Sequence, residues 1–248
     1  MIYGPQVAAI RGKTTKVHAK TKIARDEGAK MQLTKQELVM DVMHMAGERF
    51  FVSICAPLRL LLVCHLQSLS THEMGWGFQK HLNTLRSHGF NVKMVSVDPH
   101  KSFEALQGAF PGVEIDPSRA GDYLDRVDTK IRRLKELMQS VVSGLPYKLA
   151  KDRVKDLVTY AVGRMNLHST YMLMSSDCPR VRFIGDRSDY ASELGLAFGN
   201  YVEACNPKAQ AKSNDVFTPR TEPFIVLFPA ANTNGSWVLF NLNTKSYV

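Results

Sequence analysis

What is scarce in this chain narrows its class first. Cysteine is sparse: Cys55, Cys64, Cys178 and Cys205 are scattered through 248 residues without a Cys-x-x-Cys pair. That spacing supports neither a zinc site nor a disulfide framework, and it fits reduced, buried thiols. No apolar run approaches the roughly 18 residues that a membrane span needs. Leu58 to Leu66 is the most apolar stretch, and it has the length of a strand. The first residues lack the apolar region of a secretory signal, so an intracellular protein without a membrane partner is expected. Acids are in deficit, 23 against 32 Lys and Arg, for a formal charge of +9. A surplus of that sign suggests a polyanionic partner. Hydrophobic residues make up 44%, which argues against wholesale disorder.

The stretch that organises the rest runs from Gln36 to Cys55. It reads as two antiparallel strands joined by a tight turn at Ala46-Gly47-Glu48, because Val39, Val42, Phe50, Phe51, Val52 and Ile54 favour a pleated, packed surface. One charge, Asp41, sits in the middle of the first strand among apolar neighbours. An ionised carboxylate there is costly unless a cation or hydrogen bonds meet it. Two readings stand. Either alternation turns Asp41 to solvent, or Asp41 is a metal ligand on the central strand of a nuclease-like sheet.

Residues 1–35 read as a basic arm or linker, with Arg11, Lys13 and Lys16 among cations suited to tracking phosphates. After the hairpin, a strand is expected over Leu58 to Gln67 and a helix over Thr71 to His88. Ser70 or Thr71 caps that helix, Phe78, Leu82 and Leu85 recur at helical spacing, and Gly89 ends it. A strand from Phe90 to Val97 follows and stops on Asp98-Pro99. A strand after such a crossover lies parallel to an earlier one, which sets Asp98 at a carboxyl end, where ligands gather in open α/β sheets. The plainer reading of Asp98 is a strand-terminating turn. A short helix at Phe103 to Ala109 and a strand at Val113 to Ile115 come next.

The longest helix is expected over Gly121 to Ser143, with an apolar stripe at Leu124, Val127, Ile131, Leu134, Met138 and Val141. Asp128 lies one residue off the stripe, with Arg132 and Lys135 along the same polar face and Lys130 and Arg133 adding positive charge. An ordinary surface helix with Asp128 paired to Arg132 would read the same way. Another amphipathic helix spans about Lys151 to Asn166. Residues 169–195 read as a loop-rich linker. From 196 to 248, short strands at Phe198 to Val202, Phe224 to Phe228 and Ser236 to Leu242 suggest a small antiparallel barrel, with Tyr201 and Trp237 read as core in preference to base-stacking residues.

Acids in the first strand, after the fourth strand and on a late helix resemble the RNase H-like catalytic core of retroviral-type integrases, here assigned to residues 36–168. Local matches narrow the resemblance to copia-type retrotransposon polyproteins. Residues Tyr3 to Thr15 look like the linker after that family's zinc-binding segment. Leu38-Val-Met-Asp-Val-Met43 looks like the strand with the first acid, and Val95-Ser-Val-Asp98 looks like the second. Val127 to Glu136 looks like the helix carrying the third, and Gly144-Leu-Pro-Tyr147 like the loop after it. Leu196 to Val202, Thr218 to Thr221 and Gly235 to Thr244 resemble the small barrel that follows the integrase core.

The resemblance implies an α/β, RNase H-like mixed sheet flanked by helices, followed by a small β-barrel-like domain. It implies that Asp41, Asp98 and Asp128 are catalytic and hold two Mg²⁺ or Mn²⁺ ions about 4 Å apart for DNA 3′-processing and strand transfer. It implies DNA, or an RNA–DNA hybrid, held by Lys130, Arg132, Arg133, Lys135, Arg11, Lys13 and Lys16, in a homo-oligomer acting in the nucleus. Three departures stand out. The family has Glu where this chain has Asp128, with Asp122, Asp125 and Glu136 as nearby substitutes. Pro99-His100 follows the second acid where small or acidic residues are usual. The His/Cys zinc module is missing. The alternative is a catalytically decayed or domesticated protein that binds nucleic acid or serves structurally.

Overall fold

The computed structural model describes residues 34–97, 103, 106, 108–116, 120–168, 178–185, 194–205, 219–230 and 235–248, with backbone only for 120–126. Arg11, Lys13, Lys16, Asp98 and His100 lie outside the described residues, as do the side chains of Asp122 and Asp125. The described residues fall into two compact units, one within Ala24–Ser188 and one within Asp189–Val248.

In the larger unit, β1 (Lys35–Met45) and β2 (Glu48–Ala56) form the expected hairpin, closed by the pair Met45↔Glu48. The two turn residues, Ala46 (φ 51°) and Gly47 (φ 80°), are both left-handed. That geometry matches the natural twist of the strands. β3 (Leu61–Leu66) is shorter than the expected 58–67. The chain turns over 57–60, where Pro57 has no N–H to give a ladder and Arg59 is left-handed (φ 61°). Buried Gln36 fastens this turn, its Oε1 accepting the Leu58 amide at 3.1 Å.

Helix α1 (Thr71–Ser87) starts where expected, with the Ser70 hydroxyl accepting the Glu73 amide at 3.3 Å. It crosses to β4 (Asn91–Val97), parallel to β1, and β5 (Glu114–Asp116) extends the sheet in parallel. The five strands stand in the order β3-β2-β1-β4-β5. Helices α2 (Ala120–Ser143) and α3 (Val154–Leu167) follow, the latter after a 3₁₀ turn at Lys151–Arg153.

Alternation divides the sheet's two faces. Leu38, Met40, Phe51, Val95 and Val97 share one buried cluster with Met74, Phe78, Leu82 and Leu85 of α1. Val39, Met43, Phe50 and Val52 are buried outside that cluster, on the other face, where α2 and α3 lie against β1, β4 and β3. Each such side chain contributes about 1.5–3 kcal/mol on burial. The edge strand β3 is held by α3: the Asn166 side chain accepts from the Leu61 N–H at 2.9 Å and donates to the Leu61 carbonyl at 2.8 Å. It pairs as a neighbouring strand would.

Within 169–195, Pro179–Ile184 form a short helix, α4. The loop signal at Cys178-Pro179 is the helix start, where Pro is favoured. Phe183 anchors it against Phe90 (5.8 Å between ring centres) and His88 (4.1 Å). No helix among the described residues is long and apolar enough to cross a membrane.

The smaller unit contains β6 (Tyr201–Cys205), β7 (Thr221–Pro229) and β8 (Trp237–Asn241) in an antiparallel sheet of that order. The expected barrel is, among the described residues, this three-stranded sheet. Val248 adds to its edge by exchanging both backbone hydrogen bonds with Leu239, at 2.8 and 2.9 Å. β6 begins at Tyr201 and not at Phe198 because Gly199 (φ 85°) turns the chain first. Phe224, Val226 and Leu227 form the buried side. Tyr201, expected in the core, is 49% exposed, and its hydroxyl donates to Glu203. Its register places it in a row with Ile225 and Phe240 on the opposite side from Phe224. Trp237 is half-buried.

Candidate functional site

Asp41 lies mid-strand on β1, half-buried, with Oδ1 accepting the Val42 amide at 2.6 Å. Its parity is that of Val39 and Met43, so it belongs to the face that α2 and α3 cover. The ladder between β1 and β4 ends at Met40↔Val97. Asp41 is the next residue of β1; Asp98, which follows Val97 in the sequence, lies outside the described residues.

Asp128 is exposed on α2, beside the buried stripe Val127, Ile131, Leu134 and Met138. The expected Asp128–Arg132 pair does not form. Arg132 instead reaches Glu136, at 4.0 Å and largely in solvent, where such a pair contributes little. Helical spacing separates the charged residues of α2 into two flanks. Asp128 and Lys135 lie to one side of the stripe, and Lys130 and Arg133 lie to the other. Lys130 is half-buried, and its ammonium is held below the ordinary lysine range by burial and then by the charges of Arg133 and Arg59.

Sequence reasoning missed two residues of this region. Asp116 ends β5, half-buried, and its register partner is Ser96. It therefore shares the sheet face of Val39 and Asp41. The signal was present: Ile115-Asp116-Pro117 repeats the pattern of Val97-Asp98-Pro99. Arg59 carried no signal, because only the fold brings the β2–β3 turn near α2. Among the described residues no group of three His, Cys, Asp or Glu stands close enough to hold a metal ion. The carboxylate oxygens of Asp41 and Asp128 are nevertheless the donor chemistry that magnesium and manganese prefer.

The topology combines an antiparallel three-strand meander, two parallel strands beyond its central member, and helices on both faces. The core is RNase H-like. No protein-family model matches the sequence, and no curated protein matches it. Among solved structures the chain is similar to the HTLV-2 integrase catalytic core domain in complex with magnesium, a trimeric form, at 14% identity. That match covers 61% of this chain and 98% of the other, with a TM-score of 0.46. The catalytic core domain of BIV integrase is similar at 12% identity, covering 60% of this chain and 93% of its own, also with a TM-score of 0.46.

Proposed function

We propose that this chain is an integrase-type core of copia-like retrotransposon origin that binds DNA and carries out metal-dependent 3′-processing and strand transfer. The observation that supports it most is Asp41, a carboxylate on the central strand, one residue past the pair Met40↔Val97. One Cα step is about 3.8 Å, and paired strands run about 4.8 Å apart. The reading takes Asp98, which follows Val97 in the sequence, as the acid that shares ions with Asp41. Helix α2 packs against β1 and β4, and the reading takes its third acid, Asp128, from that helix.

In this reading Asp41, Asp98 and Asp128 hold two magnesium or manganese ions. The ions supply Lewis-acid polarisation of a phosphoryl oxygen and a lowered pKa for an attacking water or 3′-hydroxyl. The protein positions the scissile phosphate: Lys135 and Arg132, on the side of α2 nearer Asp128, engage flanking phosphates and set position without reading sequence. Arg11, Lys13 and Lys16 extend the track, and work as a homo-oligomer in the nucleus follows from the same reading. Strand transfer of a labelled oligonucleotide, with Mn²⁺ present, tests it. Activity in the wild type that disappears in an Asp41→Asn, Asp98→Asn, Asp128→Asn protein supports the reading; activity retained in that protein refutes it.

The second reading is a domesticated scaffold that binds nucleic acid without catalysis. It draws on Asp128, whose side chain is one methylene shorter than the family's Glu, since a displacement of about 1 Å can cost roughly 100-fold in rate.

A further inference from the structure

We infer that the outer face of α1 is a docking site for single-stranded nucleic acid, with an unpaired base stacked on Trp76 and its phosphate met by Lys80. The site belongs to the α1 side of the sheet, opposite Asp41, and does not rest on the proposed function. Met74, Phe78, Leu82 and Leu85 give α1 its buried side. Trp76, Lys80, Asn83 and Ser87 recur at steps of four, three and four, so they form one stripe away from that side. The core makes little use of the indole, which is 46% exposed, although a ring of that size is ordinarily well buried. The Lys80 ammonium stands over it, 5.0 Å from the ring centre. Gln79 and Thr84 flank the stripe, and these six residues line an open depression of about 500 Å³. That volume is within the range of ligand sites.

The chemistry of the lining selects the occupant. No acid lines the depression, and Glu73, the acid of the first turn, accepts the Gln67 amide at 3.2 Å. The charge offered there is that of Lys80, which suits an anion. Gln79 Nε2 donates to Asn83 Oδ1 at 2.6 Å. That bond leaves the Gln79 amide oxygen to accept and the Asn83 amide nitrogen to donate, the two roles that the edge of an unpaired base requires. An aromatic face, a cation and a carboxamide pair together recognise a base and its phosphate. A duplex keeps its bases stacked inside and could offer this face only phosphates. A second copy of the same face would bring two Lys80 charges together with no acid between them.

The test uses the whole chain. Trp237→Phe leaves Trp76 as the remaining tryptophan of the two, and its fluorescence is titrated with an oligo(dT) of about 12 nucleotides. Saturable quenching is expected. By anisotropy with the same strand, Trp76→Ala binds about 5–100-fold more weakly, while Trp76→Phe, which keeps a ring, retains most of the affinity. Lys80→Met lowers the salt slope by about 0.7, and the control Lys155→Met on α3 changes neither affinity nor slope. A duplex of the same length binds Trp76→Ala and the wild type equally. Absence of quenching, or equal oligo(dT) affinity in Trp76→Ala and the wild type, overturns the site. Quenching by thymidine monophosphate as tight as that by oligo(dT) assigns the depression to a free nucleotide and overturns the strand. Quenching that follows protein concentration alone, with a dimer in sedimentation that Trp76→Ala dissolves, assigns the face to a second copy and overturns it too. Asp41→Asn, measured alongside, keeps the oligo(dT) affinity even where metal-dependent activity is lost, which separates this site from the carboxylates.

Discussion

Met40 on β1 pairs with Val97 on β4, and in the sequence each of the two is followed by an aspartate. Parallel strands hold equivalent residues side by side, and the proposed function rests on that register. The same ladder turns Met40 and Val97 toward α1, which leaves the Asp41 side of the sheet to α2. The candidate chemistry is a consequence of register.

Restoring the longer acid tests whether reach limits the site. Asp128→Glu is expected to raise Mn²⁺-dependent strand transfer by about 10–100-fold. A rate unchanged or lowered by this substitution would show that Asp128 does not serve as the third ligand.

The two glycines in the first turns of α1 look alike in sequence and are not alike in the fold. A Cβ on Gly77 would meet the Phe51 ring and the Cys64 sulfur at 3.2 Å and Leu66 at 3.3 Å. One on Gly75 would meet only the end of Leu106, at 3.3 Å. Alanine in a helix gains about 0.5–1 kcal/mol over glycine, and overpacking a tight interface costs about 1–3 kcal/mol. Gly75→Ala should therefore stabilise by about 0.5 kcal/mol and Gly77→Ala destabilise by about 1 kcal/mol, read by urea unfolding. Equal effects would remove the close-approach account of Gly77.

Much of the fold is legible in the sequence because its signals are local. The hairpin at Ala46-Gly47, the Ser70 cap and the α2 stripe all depend on residues a few positions apart. The β2–β3 turn was not legible, because Leu58 to Leu66 reads as one apolar strand while Pro57 and left-handed Arg59 shorten it. Tyr201 looked like core because exposure is decided by which face of a sheet is covered. Arg59 and Asp116 were invisible for a related reason: the former depends on a turn reaching a helix about 70 residues away, the latter on strand register.

His81 makes stability depend on pH. It is buried, with Nδ1 hydrogen-bonded to Ser53 Oγ at 2.7 Å and Nε2 without a partner among the described residues. Burial, and then the charge of Lys80, pushes its pKa down from 6.5 to about 3. The unfolded chain takes up the proton below pH 6.5 and the folded chain does not until about pH 3. The stabilisation is complete above the unfolded value and is lost as pH falls through that window. By pH 4.5 the loss is on the order of 2–3 kcal/mol. His81→Gln should show a smaller drop between pH 7 and 4.5 in urea unfolding by about that amount. Identical drops would contradict the buried, neutral imidazole.

The most direct test of the central claim is calorimetric titration of the purified chain with Mn²⁺, run beside Asp41→Asn and Asp98→Asn. The account predicts saturable binding in the wild type and its loss in each variant, because both carboxylates hold the same ions. Binding that survives either substitution, or no binding at all by a folded wild-type chain, would contradict it.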